Sequence, residues 1–275
     1  ISKKTNQKII WSCQLSVSNV DRNLLKTMKA SGCEIINYGF ESYSEEVLKS
    51  MKKPITPKQI DMVFKMTLEE KINVQANFIF GDIAETTQTA KETLDYWKEN
   101  CKEQVNLSWV QPYPGSKLYE YCLKKGLIKD RLDFIKNKLF EPINMTSGMS
   151  NKEHAELINT INKINDGLHN EVIALSVKRK GNRVYEFLSE FPFCFEKNAY
   201  NKVYEVLSKC PFCSKKNLYK NFYLQRDYIY SSYLCCRNCN MRYSVVSPVV
   251  KILRKLNLRP TVQKIYYSLL KKRSF

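Results

Sequence analysis

The sequence predicts an α/β chain built as half of a TIM-like (β/α) barrel, or most of a partial one, followed by a helical segment and a small β-rich module. Three observations predict it. Apolar, strand-like runs alternate with capped helical segments through roughly the first 130 residues. Those runs read as too apolar for a water-facing side, which implies a parallel sheet covered by helices. Beyond residue 200 the pattern changes to β-forming aromatics set between two Cys-x-x-Cys pairs.

The elements follow in order. "KIIWSCQLSV" reads as a strand, and "DRNLLKTMKAS" as a helix with Asp21 at its N-cap and Gly32 just past its end. "CEIINYGF" is the second strand. "SEEVLKSMKK" is a helix capped by Ser44, with Glu45 and Glu46 in its first turn. "TPKQIDMVFKMTLEEK" starts with Pro57 at the first helical position. "INVQANFIFG", "ETTQTAKETLDYWKEN" and "QVNLSWVQPYPG" give a third strand, a helix and a fourth strand. In such folds chemistry sits at the carboxyl edge of the sheet, where Glu41 ends the second strand.

Four regions are expected: the barrel portion at 1–128, a polar helical extension at 129–200, a ribbon at 201–247 and a basic amphipathic tail at 248–275. The clearest amphipathic stretch of the extension is "NKEHAELINTINKINDGLHNEVIALSVKRK", and the aromatic-rich "EFPFCFEKNAYNKVYEVLSK" docks it on its neighbours. His154 and His169 stand fifteen residues apart with no partner at metal spacing, and both are read as structural or surface residues.

No window approaches the 18 or so uncharged apolar residues of a membrane span, and no signal peptide is seen. The opening "ISKKTNQKII" reads as a cut edge, so the chain is expected to be the C-terminal portion of something longer. The formal net charge is +18, but only ten of the 45 basic residues are Arg, and Lys runs along the chain beside abundant Asn and Ile. That resembles a coding bias more than a phosphate-binding surface. The remaining excess concentrates in the C-terminal third, where acidic residues thin out. Ten cysteines without a secretion signal point to a reducing, cytoplasmic setting and to metal or redox roles rather than disulfides. Cys13, Cys33, Cys101, Cys122 and Cys194 are isolated and read as small buried hydrophobes.

"CPFC" at Cys210 and Cys213 and "CRNC" at Cys236 and Cys239 are two knuckles that can hold four thiolates tetrahedrally around zinc. The 22 residues between them exceed the usual gap, so the inner hairpin is expected to be extended. Cys235 is a spare, or a ligand in a shifted register. A structural zinc is favoured over nucleic-acid contact, since a closed four-thiolate site leaves no position for catalysis.

From about Ile9 to Ile128 the chain resembles the second half of a radical S-adenosylmethionine barrel, of the class that often carries an N-terminal cobalamin-binding domain. The resemblance is carried by Gly39-Phe40-Glu41-Ser42 with Leu48 and Met51, and by Pro112-Tyr113-Pro114-Gly115-Ser116 with Leu118 and Tyr119. It implies that Gly39, Glu41 and Ser42 lie against S-adenosylmethionine, that Gly81 borders its adenine end and that Glu85, with Thr86, matches the family's Gly-Glu-Thr. Gln111, Pro112 and Tyr113 then form a substrate-facing rim. Two departures stand out. Asp82-Ile83-Ala84 replaces the usual Leu-Pro-Gly, and Leu15-Ser16-Val17 stands where the family commonly carries an Arg.

The family holds a 4Fe-4S cluster on a CxxxCxxC motif, and no such grouping precedes Cys210. The resemblance therefore implies cluster ligands upstream of this chain, an external electron donor, and a segment inactive alone. The implied activity is radical chemistry on an unknown substrate, with cobalamin-assisted transfer or rearrangement among its forms. A second reading is a non-catalytic zinc-ribbon protein that binds nucleic acid on a degenerate barrel. For the tail, a helix packed on the ribbon is the default, with an anionic membrane surface or nucleic acid as the other reading.

Overall fold

Strand β1 (Trp11–Leu15) leads through a 3₁₀ turn into helix α1 (Arg22–Ala30), and β2 (Cys33–Glu41) follows. Helices α2 (Glu45–Ser50) and α3 (Pro57–Glu69) precede β3 (Asn73–Phe80), and α4 (Thr87–Asn100) precedes β4 (Val105–Trp109). Then come α5 (Lys117–Lys124), a short helical turn at 131–138 and α6 (Asn151–Gly167). The computed structural model describes residues 11–167, 170–184, 200–223 and 231–256. The start of the first expected strand, His169, Cys194, the aromatic-rich stretch up to residue 199 and the tail beyond 256 lie outside them.

The local signals behave as their chemistry dictates. Asp21 accepts a hydrogen bond from the Leu24 amide at 2.8 Å, and Gly32 takes φ +102° just past α1. Thr56 and Gln59 form a reciprocal capping box behind Pro57. Ser44 differs: it stands at the N-cap of α2 but its side chain caps nothing, and its amide instead donates to Ser42 Oγ.

The four strands form one parallel sheet in the order β1-β2-β3-β4. A sequential order with every crossover in the same sense suits a barrel segment, whereas a doubly wound sheet reverses its order. On one face Ile36, Tyr38, Phe40, Val74, Ala76, Phe78 and Leu107 are buried in a single core with helical residues including Ile60, Phe64 and Ile161. Two side-chain bonds fix β4 to its helices: Trp97 Nε1 donates to the Val105 carbonyl at 2.7 Å, and Asn165 donates to that of Leu107 at 3.0 Å.

The other face corrects the expectation of a sheet apolar on both sides. Gln14, Asn37 and Gln75 share one row of the register, and Gly39, Asn77 and Asn106 the next. Gln14, Gly39, Asn106 and Ser108 on that face are exposed, and Asn106 donates to Asn77 Oδ1 at 3.1 Å. The period of 2 carries these carboxamides away from the core.

The second unit begins at His169 rather than at residue 201. Strands β5 (Glu171–Ile173) and β6 (Ser176–Val184) lie in the second half of the expected helical extension, and among its described residues only α6 and the short pieces before it are helical. Val172, Ile173 and Val177 favour extended backbone. The partners that hold it lie far along the chain, β10 for β5 and β7 for β6. Strands β7 (Tyr200–Lys209) and β8 (Lys216–Tyr223) pair antiparallel, as do β9 (Ser231–Cys235) and β10 (Arg242–Val246), before helix α7 (Pro248–Lys255). The sheets are β5-β10-β9 and β6-β7-β8. Among the described residues β8 and β9 therefore do not form the expected inner hairpin. Each knuckle instead closes a hairpin of its own.

Candidate functional site

At the carboxyl end of β2 the register shifts between Gly39 and Glu41, and Glu41 takes φ +64°. A non-glycine residue pays about 1–2 kcal/mol for the left-handed region. The turn directs the Glu41 carboxylate to Lys53 Nζ at 2.6 Å, with 14% of the Glu41 side chain exposed. Gly39 makes room for the pair, since a Cβ there would stand 2.6 Å from Glu41 Oε1 and 3.2 Å from Lys53 Nζ. Glu41 is apparent in the strand-end motif, whereas Lys53, twelve residues on in the loop after α2, carries no local signal.

Ser42, the other polar residue of this strand end, is held by neighbouring groups. It is buried, its Oγ lies 3.2 Å from Thr93 Oγ1, and it accepts from the Ser44 amide. The Tyr43 amide also donates to Thr93, so the turn is tied to α4. Physical chemistry makes Ser42 a turn lock here.

At the end of β3 Gly81 takes φ +98° and its amide donates to Glu85 Oε2. Glu85 is 1% exposed and its Oε1 has no hydrogen-bond partner. Burial raises this carboxyl to about 8; the Gly81 amide opposes the shift and Asp82 adds to it. Glu85 thus faces inward and holds the strand-end turn. The Asp82 departure has a local account as well: Asp82 Oδ1 accepts from the Ala84 amide at 2.9 Å, so a side-chain acceptor makes the turn. Ser147 donates twice to the Ile83 carbonyl, and Gly148 fits against Thr86, where a Cβ would meet Thr86 Cγ2 at 2.6 Å. His154 is buried beside Gly81, and burial lowers its pKa.

Gln111, Pro112 and Tyr113 lie in the loop after β4 rather than in the strand. With its amide oxygen toward Trp109 Nε1 (2.6 Å) and its nitrogen toward the Leu139 carbonyl (2.9 Å), Gln111 binds that loop to the chain beyond α5. Pro112 is buried, and Tyr113 is 51% exposed.

Three of the four barrel thiols are buried apart from any metal site, and the fourth, Cys13, is half-buried beside Cys33. Cys33, Cys101 and Cys122 are buried, and desolvation raises them to about 11, 12 and 11. The four knuckle thiols do fit a metal. The sulfurs of Cys210, Cys213, Cys236 and Cys239 all lie within 4.8 Å of one another. Cys210 and Cys239 are 3.7 Å apart, and Cys213 and Cys236 3.6 Å. Thiolates 2.3 Å from one tetrahedral zinc stand about 3.8 Å from each other, whereas a disulfide needs about 2.05 Å.

The two knuckles repeat one design. Phe212 and Asn238 amides each donate to the first sulfur of their knuckle at 3.4 Å. Ser214 and Asn240, each following the second cysteine, take φ +60° and +57°. Asn217 donates to Cys236 Sγ and accepts from the Arg237 amide, joining the knuckles. Burial opposes ionisation of Cys213, but donors led by the Lys215 amide prevail and pull it down to about 6. Cys235 is outside the group, and its thiol donates to the Asn240 carbonyl.

No protein-family model matches the chain. It is similar to an uncharacterized methyltransferase of Pyrococcus horikoshii, 28% identical over 126 residues, which cover 46% of this chain and 28% of the relative. It is similar also to bacteriochlorophyllide d C-12(1)-methyltransferase of Chlorobaculum tepidum, 30% identical over 112 residues, covering 40% and 25%. A third relative is the anaerobic magnesium-protoporphyrin IX monomethyl ester cyclase of Rubrivivax gelatinosus, 24% identical over 152 residues, covering 54% and 27%. The chain thus spans about a quarter of the length of these relatives. Solved structures that overlap it include the radical S-adenosylmethionine methyltransferase TsrM of Kitasatospora setae, with cobalamin and a 4Fe-4S cluster bound (20% identity, 36% of this chain and 19% of that one, TM-score 0.33). Another is coproporphyrinogen III oxidase HemN of Escherichia coli, a radical SAM enzyme (14% identity, 56% and 31%, TM-score 0.39). Overlaps at these scores carry no weight for the fold. The curated relatives are named as methyltransferases and a cyclase.

Proposed function

We propose that residues 11–128 are the C-terminal half of a radical S-adenosylmethionine barrel, and that the protein containing them carries out radical-type methyl transfer on a substrate this chain does not identify. The observation that carries the reading is the β2 strand end: Gly39 without a Cβ, Glu41 in the left-handed region, and a Glu41–Lys53 pair at the rim of a polar sheet face. A carboxylate there can accept from ribose hydroxyls, and the ammonium can face a carboxylate. In this reading the Gly81 turn borders the adenine end, Glu85 positions that turn, and Gln111 with Tyr113 shapes the substrate rim.

When bound, a 4Fe-4S cluster supplies the electron for reductive cleavage of S-adenosylmethionine; its ligands come from outside this chain's buried barrel thiols, and cobalamin belongs to the same reading as methyl carrier. This chain's residues bind and orient the cofactor and exclude water from the apolar side of the sheet. The second unit's four thiolates hold a structural zinc, in a ribbon stabilised by the metal. A reducing cytoplasm and an external electron donor complete the picture.

The test uses the whole protein, reconstituted anaerobically with iron and sulfide and reduced with dithionite. The reading predicts consumption of S-adenosylmethionine, strongly diminished by Glu41→Ala. Iron loading without any turnover of S-adenosylmethionine contradicts it.

A further inference from the structure

The net charge is not spread evenly. Residues 1–168 carry 24 Lys and Arg against 21 Asp and Glu, whereas residues 169–275 carry 21 against six. A coding bias toward Lys accounts for abundant lysine in both units but not for the loss of acidic residues from one of them. Among the described residues of the second unit, the acidic ones are Glu171 and Glu205 alone.

The register shows where part of this charge lies. Lys216, Leu218 and Lys220 alternate with buried Asn217 and Tyr219, so they share the outer face of the β6-β7-β8 sheet. Lys209 is directly opposite Lys216, and Leu207 opposite Leu218. On β6, Lys178 pairs with Glu205, and Lys180 Nζ approaches the same Glu205 carboxylate at 3.9 Å. Like charges facing each other across an antiparallel pair are destabilising. The Lys209–Lys216 pair is exposed and has one carboxylate on its face among the described residues.

We propose that this face is a nucleic-acid-binding surface that engages the phosphate backbone of a single strand. A row of phosphates supplies the negative charge the face lacks and relieves the lysine–lysine repulsion. A bilayer suits the face less well, since binding in the headgroup region draws on a buried apolar stripe. Around the Lys209–Lys216 pair the apolar residues are the single cross-strand pair Leu207 and Leu218, flanked by lysines on both strands. Binding here neither requires nor excludes a cofactor in the first unit.

The experiment measures fluorescence anisotropy of a labelled 20-nucleotide oligouridylate with the full metal-loaded chain at several potassium chloride concentrations. The comparison is with a Lys209→Glu/Lys216→Glu variant of equal metal content. The proposal predicts salt-dependent binding, weakened at least about tenfold in the variant, with the slope of log affinity on log salt shallower by about 1.4 for two lost phosphate contacts. If the reversal disturbs metal content, Lys216→Gln/Lys220→Gln reads the same slope without adding acid. No binding at about 50 mM salt overturns the proposal. So does wild-type affinity in the variants, which would assign binding to another segment such as the tail. Binding to phosphatidylserine vesicles but not to the oligonucleotide overturns it in favour of a membrane surface.

Discussion

Glu85 shows how one side chain can hold a strand end and report on pH. Its folded carboxyl keeps a proton up to about pH 8, whereas the ordinary value is 4.5. Between those limits the folded state binds the extra proton, so its contribution to stability is full below about 4.5 and is lost as pH rises through 8. A tenfold difference in proton affinity between the folded and unfolded chain is worth about 1.4 kcal/mol, so the contribution is on the order of a few kcal/mol. Glu85→Gln keeps an acceptor for the Gly81 amide and removes the titration. Denaturant unfolding at several pH values should therefore show a flatter decline for the variant between pH 5 and 8; parallel curves would mean that Glu85 is ionised in the fold. Glu41 and Ser42 are adjacent in a motif yet separate in role, because a left-handed turn sends one to Lys53 and the next to Thr93. A motif displays both residues, but the sign of φ at Glu41 is not visible in it.

The elements were legible where the signal is local. Caps at Asp21 and Thr56, Pro57 at a helix start and Gly32 at a helix end all act within a few residues. The second half of the expected helical extension was not legible, because β5 and β6 find their partners tens of residues away. The knuckles were visible from spacing alone, but the hairpins that carry them were not. Each knuckle places a residue with positive φ after its second cysteine. Ser214→Gly should stabilise the metal-loaded protein by about 0.5–1 kcal/mol, and Asn240→Gly by less, since Asn tolerates this region. Thermal melts of both variants check this; a loss of stability in Ser214→Gly would show that the serine side chain contributes more than its backbone strain costs.

At the scale of the molecule, the parallel α/β order was readable and the polarity of the sheet was not. Gln14, Asn37, Gln75, Asn77 and Asn106 sit at alternate positions within runs whose apolar members dominate the eye. Their common face emerges only when four strands are aligned in register. The two units also predict separate responses. Cys210→Ala should reduce zinc from about one per chain to near zero and loosen strands β7 to β10 in hydrogen exchange, while protection in 11–167 persists. A variant that retains full zinc would remove Cys210 from the metal site.

The central claim is that the Gly39–Glu41 strand end is one wall of an S-adenosylmethionine pocket. Its most direct test is an anaerobic calorimetric titration of S-adenosylmethionine into the whole protein and its Glu41→Ala variant, with iron measured in both. The account predicts equal iron and an affinity about 10- to 100-fold weaker in the variant, as expected for loss of a charged hydrogen-bond acceptor. Equal affinity would contradict it and leave Glu41 as a partner for Lys53 alone.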